Sequence, residues 1–294
     1  MIEGNHIATG EGFSIAAATY DADEEGNPIL LWMRRRAEIL MQRNFPAGSR
    51  LLELGCGTGI EAERLASRGC SLVLTDVATG MLERATAKVE RIDGALAGAH
   101  LMPASRIGDL VGIYGRGSFD GAYSSFGPLN CEPDARPIAK GLAELVRPGG
   151  RVVLSVINAV CPTEILWYAF HLDFRNAFRR LGGPVVARAI PGIAPSVMTW
   201  YYTPGDYRRA FSRDFNVLSC RSLPLVIPPP YLGHLMRRFP RSFRLAGRID
   251  DLLAPLPLFR SLGDHFLVEM ERRGSEKFDG ESQRAKVKRQ KNKR

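Results

Sequence analysis

The sequence predicts an α/β protein built on a doubly wound, mostly parallel β-sheet. Three observations predict it. Short apolar runs alternate with segments of helical periodicity between residues 29 and 157. Short loops join them, which suits strand–helix–strand units and a sheet covered on both faces. The first run, Arg50–Leu54, leads directly into the glycine-rich stretch GCGTG at 55–59, and the second ends in an aspartate, Asp76.

Each element has its own warrant. Ile29–Arg43 carries Leu30, Leu31, Met33, Ala37, Leu40 and Met41 at helical spacing, and Pro46-Ala-Gly48 stops it. Arg50–Leu54 reads as a buried strand and Glu61–Ser67 as a helix closed by Gly69. Ser71–Thr75 is a second strand and Thr79–Ile92 a second covering helix; a weak third strand falls at Leu101–Met102. Phe119–Tyr123 is a fourth strand, Pro137–Leu145 a helix, Val146-Arg-Pro-Gly-Gly150 a turn and Arg151–Ile157 a fifth strand. Beyond Asn158 the alternation stops. Pro162–Leu181 reads as one or two amphipathic helices, Val197–Tyr202 as a strand, Asp206–Phe211 as helix, Val217–Val226 as extended, and Phe266–Met270 as a returning last strand. The 160–260 stretch is expected to be an α-rich cap built over the carboxyl edge of the sheet.

Composition narrows the class. The 294 residues are 45% hydrophobic and 24% charged, the mix of a soluble globular chain. The five cysteines show no C-x-x-C pair, which argues for reduced thiols, a cytoplasmic setting and no metal cluster. The start, MIEGNHIATGEG, lacks the basic head and apolar core of a signal peptide, and Pro162 with Glu164 breaks the most membrane-like window. The net charge of +9 is uneven: residues 160–260 hold 14 arginines, no lysine and six acids. That mix of arginine with apolar and aromatic residues suits a hydrophobic anionic ligand, an acidic carrier or a peripheral membrane surface. The QRAKVKRQKNKR end reads as a solvated, disordered basic tail that leaves nucleic-acid contact open.

The stretch LLELGCGTG at 51–59 is the strongest chemical signal. Glycines between a strand and a helix let a ligand approach the backbone, where helix N–H groups face it. The nicotinamide fingerprint requires glycine at 55, 57 and 60, and position 60 is Ile60. What stands instead is Glu53-x-Gly55-x-Gly57-x-Gly59, with Asp76 closing the next strand. With the Phe13–Asp21 segment, LTDVATGML at 74–82, FDGAYSSFGPLN at 119–130 and VRPGG at 146–150, in that order, this resembles the class I S-adenosylmethionine-dependent methyltransferases.

The resemblance implies a Rossmann-like seven-stranded sheet and S-adenosylmethionine as cofactor. It divides the chain into a helical entry segment (1–48), a cofactor-binding core (49–159), an Arg-rich cap with a late strand (160–260), a final strand (261–273) and the tail (274–294). It implies that Gly55, Gly57 and Gly59, with Cys56 and Thr58, carry the methionine part, and that Glu53 lies beneath it. Asp76 would accept from both ribose hydroxyls, Val77 and Met81 would flank adenine, and Ser124 and Ser125 would lie near the methyl end. The Gly-Asp pair common after the third strand is missing; Ser105 is the favoured substitute, ahead of Gly108-Asp109.

An oxygen acceptor of high pKa needs a base. His171, in the aromatic stretch WYAFHLDF, is the favoured candidate over His234 and His265; Tyr20 is a second catalytic candidate, and Tyr123, Tyr201 and Tyr202 could orient a substrate. The leading reading is methyl transfer to a small or lipid-like acceptor. An RNA- or protein-directed methyltransferase and a non-catalytic cofactor-binding protein are the alternatives.

Overall fold

A computed structural model describes residues 2–190 and 193–274. The basic tail expected at 274–294 lies, from residue 275, outside the described residues. Three helices come first: α1 (Ile2–Ala16), α2 (Tyr20–Glu25) and α3 (Pro28–Asn44). The core then alternates β1 (Arg50–Leu54), α4 (Ile60–Ala66), β2 (Ser71–Asp76), α5 (Thr79–Val89), β3 (Leu96–Leu101), α6 (Val111–Tyr114), β4 (Phe119–Ser124), α7 (Arg136–Leu145) and β5 (Val146–Ile157). An insertion follows: α8 (Pro162–Phe170), α9 (Phe174–Ala177), β6 (Val185–Ile190), β7 (Ile193–Thr199) and α10 (Pro204–Phe211). The described residues end with β8 (Phe215–Leu223), α11 (Gly233–Arg238), α12 (Pro240–Leu253) and β9 (His265–Arg272).

The sheet has seven strands in the order β3-β2-β1-β4-β5-β9-β8. The first five pair in parallel and β9 runs antiparallel between β5 and β8. This is the doubly wound, Rossmann-like arrangement the sequence predicts. The strand order reverses between β1 and β4, and such a switch point leaves a crevice at the carboxyl ends of the strands. Two apolar layers clamp the sheet. One includes Leu52, Leu54, Ile138 and Leu142; the other includes Ile29, Met33, Leu51 and Leu72.

Four details depart from expectation. The third strand lies at Leu96–Leu101, ahead of the predicted Leu101–Met102. It is an edge strand with mostly half-exposed residues, so it needs no apolar run. The predicted turn at 146–150 is drawn into β5, where Val146 pairs with Phe119 before the register shifts. Within the insertion the strand expected at Val197–Tyr202 lies at Ile193–Thr199 and pairs with an unexpected β6, forming a hairpin outside the main sheet on which α1 packs. The helix α1 had no periodic signal, because Gly4, Gly10 and Gly12 interrupt IEGNHIATGEGFSIA.

One of those glycines explains the local choice. A Cβ on Gly10 would lie 2.5 Å from the Val77 carbonyl oxygen, so α1 seats directly on the loop after β2. Alanine at this site would favour the isolated helix by about 1 kcal/mol. Overpacking against backbone costs about 1–3 kcal/mol. Gly10→Ala is therefore expected to lower stability in urea denaturation despite the better helix former; a gain would show that α1 is not seated there.

Candidate active site

A crevice of about 240 Å³ opens at the strand switch point. Its floor is the loop after β1. Gly55, Gly57 and Gly59 all have positive φ, at 66°, 52° and 80°. Gly57 matters most: an added Cβ would meet nothing within 4 Å and would stand in the open crevice where a ligand must approach. The Cys56 N–H donates to the Thr75 carbonyl, which ties the loop to β2.

Asp76 lies at the end of β2, 8% exposed. Its Oδ2 accepts from the Gly57 N–H and its Oδ1 from the Ala78 N–H, both at 2.9 Å. Each carboxylate oxygen keeps a further acceptor position, which matches the paired donors of a vicinal diol. Burial raises the Asp76 pKa above its ordinary value, against the backbone donors that pull it down.

Glu53 lies under the loop, 1% exposed, and its Oε2 has no hydrogen-bond partner. Burial, then the charge of Glu61, pushes its pKa well up. A buried carboxyl oxygen without a partner is unfavourable unless a ligand, or the nearby Tyr123 hydroxyl that is unpartnered as well, supplies one. The crevice carries the carboxylates of Glu61, Asp76 and Glu132, beside the carboxyl group of Glu53 that burial biases toward its neutral form. Its guanidinium, Arg34, is already paired with Glu24 and Glu61. The surplus is negative, which favours a cationic ligand and disfavours a pyrophosphate. The orphaned oxygen, the open face of Gly57 and the spare acceptors of Asp76 together fit an S-adenosylmethionine-like sulfonium nucleoside.

The other sequence-predicted residues divide. Cys56, Thr58, Val77, Met81, Ser125 and Tyr20 line the crevice. Gly59 sits behind the loop as the N-cap of α4. The Ser124 hydroxyl turns away to the Leu54 carbonyl. Ser105 gives its backbone N–H to Glu132, and its neighbour Ala104 faces the crevice. His171 is exposed, its Nδ1 against the Trp167 carbonyl, and is absent from the crevice lining. Burial, then the charge of Glu24, raises the Tyr20 pKa, so the phenol stays protonated and can donate but not take a proton.

Sequence reasoning missed His6 and Glu132. Glu132, 2% exposed, follows the loop after β4. Its Oε1 accepts from Ser105 N and its Oε2 meets His6 Nε2 at 3.1 Å. His6 comes from α1, three residues before Thr9, whose buried hydroxyl is also unpartnered and also lines the crevice. No motif marks either residue, because the pair joins positions 126 apart in the chain. The aromatic Phe126, at φ 59°, also faces the crevice, with the Arg34 guanidinium 4.9 Å from its ring centroid.

Residues 51–150 match the family model described as a methyltransferase domain. The chain is 30% identical over 145 residues to a ubiquinone biosynthesis O-methyltransferase of Xanthomonas axonopodis pv. citri, covering 49% of this chain and 58% of that protein. It is 34% identical over 146 residues to a demethylmenaquinone methyltransferase of Beutenbergia cavernae, covering 49% and 54%. The chain thus spans a little over half the length of these relatives. A crystal structure of a putative S-adenosylmethionine-dependent methyltransferase from Listeria monocytogenes superposes with a TM-score of 0.56 at 16% identity, covering 82% of this chain and 97% of that one. The fold is that of the class I methyltransferases.

Two outcomes follow for the site. Asp76→Ala removes two acceptors, each worth about 1.5–3 kcal/mol when charged, so the affinity for S-adenosylhomocysteine should fall by a hundredfold or more in calorimetry. Binding should also weaken on acidification, beginning at a higher pH than an ordinary aspartate would set, because diol donors favour the ionised carboxylate whose pKa burial has raised. In the free protein the sign reverses. A folded-state pKa above the unfolded one means that ionisation opposes folding, so acidification relieves the cost. An affinity unchanged on acidification would show that Asp76 is not the acceptor.

Proposed function

We propose that this chain transfers a methyl group from S-adenosylmethionine to a small, apolar organic acceptor, free or carrier-tethered. The reading is carried by Asp76, a buried carboxylate with an acceptor position left on each oxygen, above a glycine loop and beside the unpartnered Glu53 oxygen. The family match over 51–150 and the class I fold support it. The relatives named for ubiquinone and demethylmenaquinone chemistry support a lipid-like aromatic acceptor. So do Phe126, Ile157 and Val197, apolar groups that line the same crevice. Five free cysteines support a cytoplasmic setting.

The cofactor supplies a methyl group already activated on a sulfonium centre. The chain's own residues then have three tasks. Asp76 and Glu53 orient the nucleoside and amino-acid ends, and orientation alone can contribute several kcal/mol to the barrier. The helix α1 covers the crevice and excludes water, joined to the core by Asn5, whose side chain donates to the Cys131 carbonyl and accepts from Met198 N. His6 takes the acceptor proton. Glu132 holds its Nε2, which leaves Nδ1 free to act as base, a role worth about 10²–10⁴-fold.

The test is uptake of labelled methyl from the cofactor by lipid-soluble quinol precursors and host extracts. Product that takes up label with the native chain and not with Asp76→Ala supports the reading; cofactor binding without label in any fraction overturns it. His6→Ala and Glu132→Gln should lower turnover at least tenfold with cofactor affinity unchanged, and His171→Ala should leave turnover unchanged. Loss of cofactor affinity in both would assign the pair to the nucleoside.

A further inference from the structure

The arginines of the insertion and the chain after it are not explained by the crevice. Along α12, Phe243, Gly247 and Asp250 are buried, and Ala254 just beyond continues the stripe. Asp250 accepts from the N–H groups of Leu225, Val226 and Ile227, so this inner side is fixed to the body of the protein. Leu245, Ile249 and Leu252 recur at the same helical interval, offset by two residues. At 100° per residue that offset turns them about 200° from the inner stripe, directly outward. They are 60%, 37% and 71% exposed.

Exposed arginines flank this outward stripe: Arg238, Arg241, Arg244 and Arg248. Among the described residues none of the four pairs with a carboxylate. The exposed acid of α12, Asp251, is taken by Arg36 and Arg221.

A second apolar surface lies in the same part of the chain. Leu166, Phe170, Leu172, Phe174, Phe178 and Leu181 are all more than half exposed, with Phe170 at 85%. They stand on a rigid base. Glu164, 1% exposed, is bonded by Arg179, Arg180 and the Tyr231 hydroxyl. Tyr231 immediately precedes α11 and α12, and its ring lies 6.4 Å from that of Tyr168 in α8.

We propose that α12, together with the Leu166–Leu181 segment, docks this protein on the surface of an anionic phospholipid bilayer. A helix with an apolar stripe edged by unneutralised arginine is the pattern that lies in the headgroup boundary. Lipid phosphates and acidic headgroups complement the cations while the leucines and phenylalanines enter the acyl edge. A second copy of the chain fits less well, because two such faces would oppose arginine with arginine. No helix among the described residues is long and apolar enough to cross a membrane, so attachment through this face is peripheral. The inference goes beyond the proposed reaction and does not depend on it.

The experiment is sedimentation of the full chain with vesicles of phosphatidylcholine alone or mixed with phosphatidylglycerol. Binding is expected to the mixed vesicles only and to fall with added salt. Leu245→Ser with Leu252→Ser, and separately Arg241→Gln, Arg244→Gln and Arg248→Gln together, should each lower the partition coefficient about tenfold or more while binding of S-adenosylhomocysteine is unchanged. Phe170→Ser with Phe174→Ser should weaken it in the same way. Vesicle binding that survives these changes and disappears on deleting residues 283–294 would overturn the proposal in favour of the tail. A concentration-dependent dimer abolished by Leu245→Ser, with no vesicle binding, would overturn it in favour of a second copy.

Discussion

The Asp76 carboxylate joins the loop after β1 to the turn after β2 at the crevice, beyond the point where the Cys56 N–H to Thr75 carbonyl bond ends the strand pairing. One oxygen takes the Gly57 N–H from the loop after β1, and the other takes the Ala78 N–H from the turn after β2. These bonds keep the loop open in a left-handed path that only glycine follows cheaply. The site thus rests on a charge kept in a buried place, at an energetic cost that shows as a raised pKa. The cost is tolerable because the group is only partly satisfied by the protein and a diol can complete it.

The same economy of partial satisfaction governs the entry segment. Arg34 on α3 is bonded by Glu24 from α2 and Glu61 from α4, all buried. Asp21 receives the Thr58 hydroxyl from the glycine loop and the Lys88 ammonium from α5. Removing one member of such a buried set strands the others, which is worth about 3–5 kcal/mol. The N-terminal helices are therefore a wall of the site and not an appendage, and the crevice has polar partners ready on three sides.

How much of this was legible follows from where each signal lives. Strand β1, the turn at 55–59 and Asp76 could be read because their chemistry is written in consecutive residues. The helix α3 could be read because its buried face recurs every three to four positions. Helix α1 followed only from the resemblance and had no periodicity of its own, and the reason for Gly10, a close approach to Val77, shows only in the folded chain. His6 and Glu132 were invisible for the related reason that they meet across 126 positions. His171 looked suitable because aromatic neighbours surround it in sequence, yet Phe170 and Phe174 face outward. An apolar stripe says that a surface wants covering and does not say by what, so the aromatic run of α8 and α9 could not be told from core.

The roof formed by α1 and the β6–β7 hairpin has a kinetic corollary. Among the described residues few side-chain bonds fasten it to the rest: Asn5 to Cys131, His6 to Glu132, Ser14 to Gly80, and Asn130 to Trp200 just beyond the hairpin. Lifting it by local opening breaks the small cluster of Ala16, Ala17, Ala78 and Met81 but neither of the two apolar layers that clamp the sheet. A ligand lying below would leave no faster than the flap lifts, so its release would be governed at the amino terminus, far along the chain from the loop after β1.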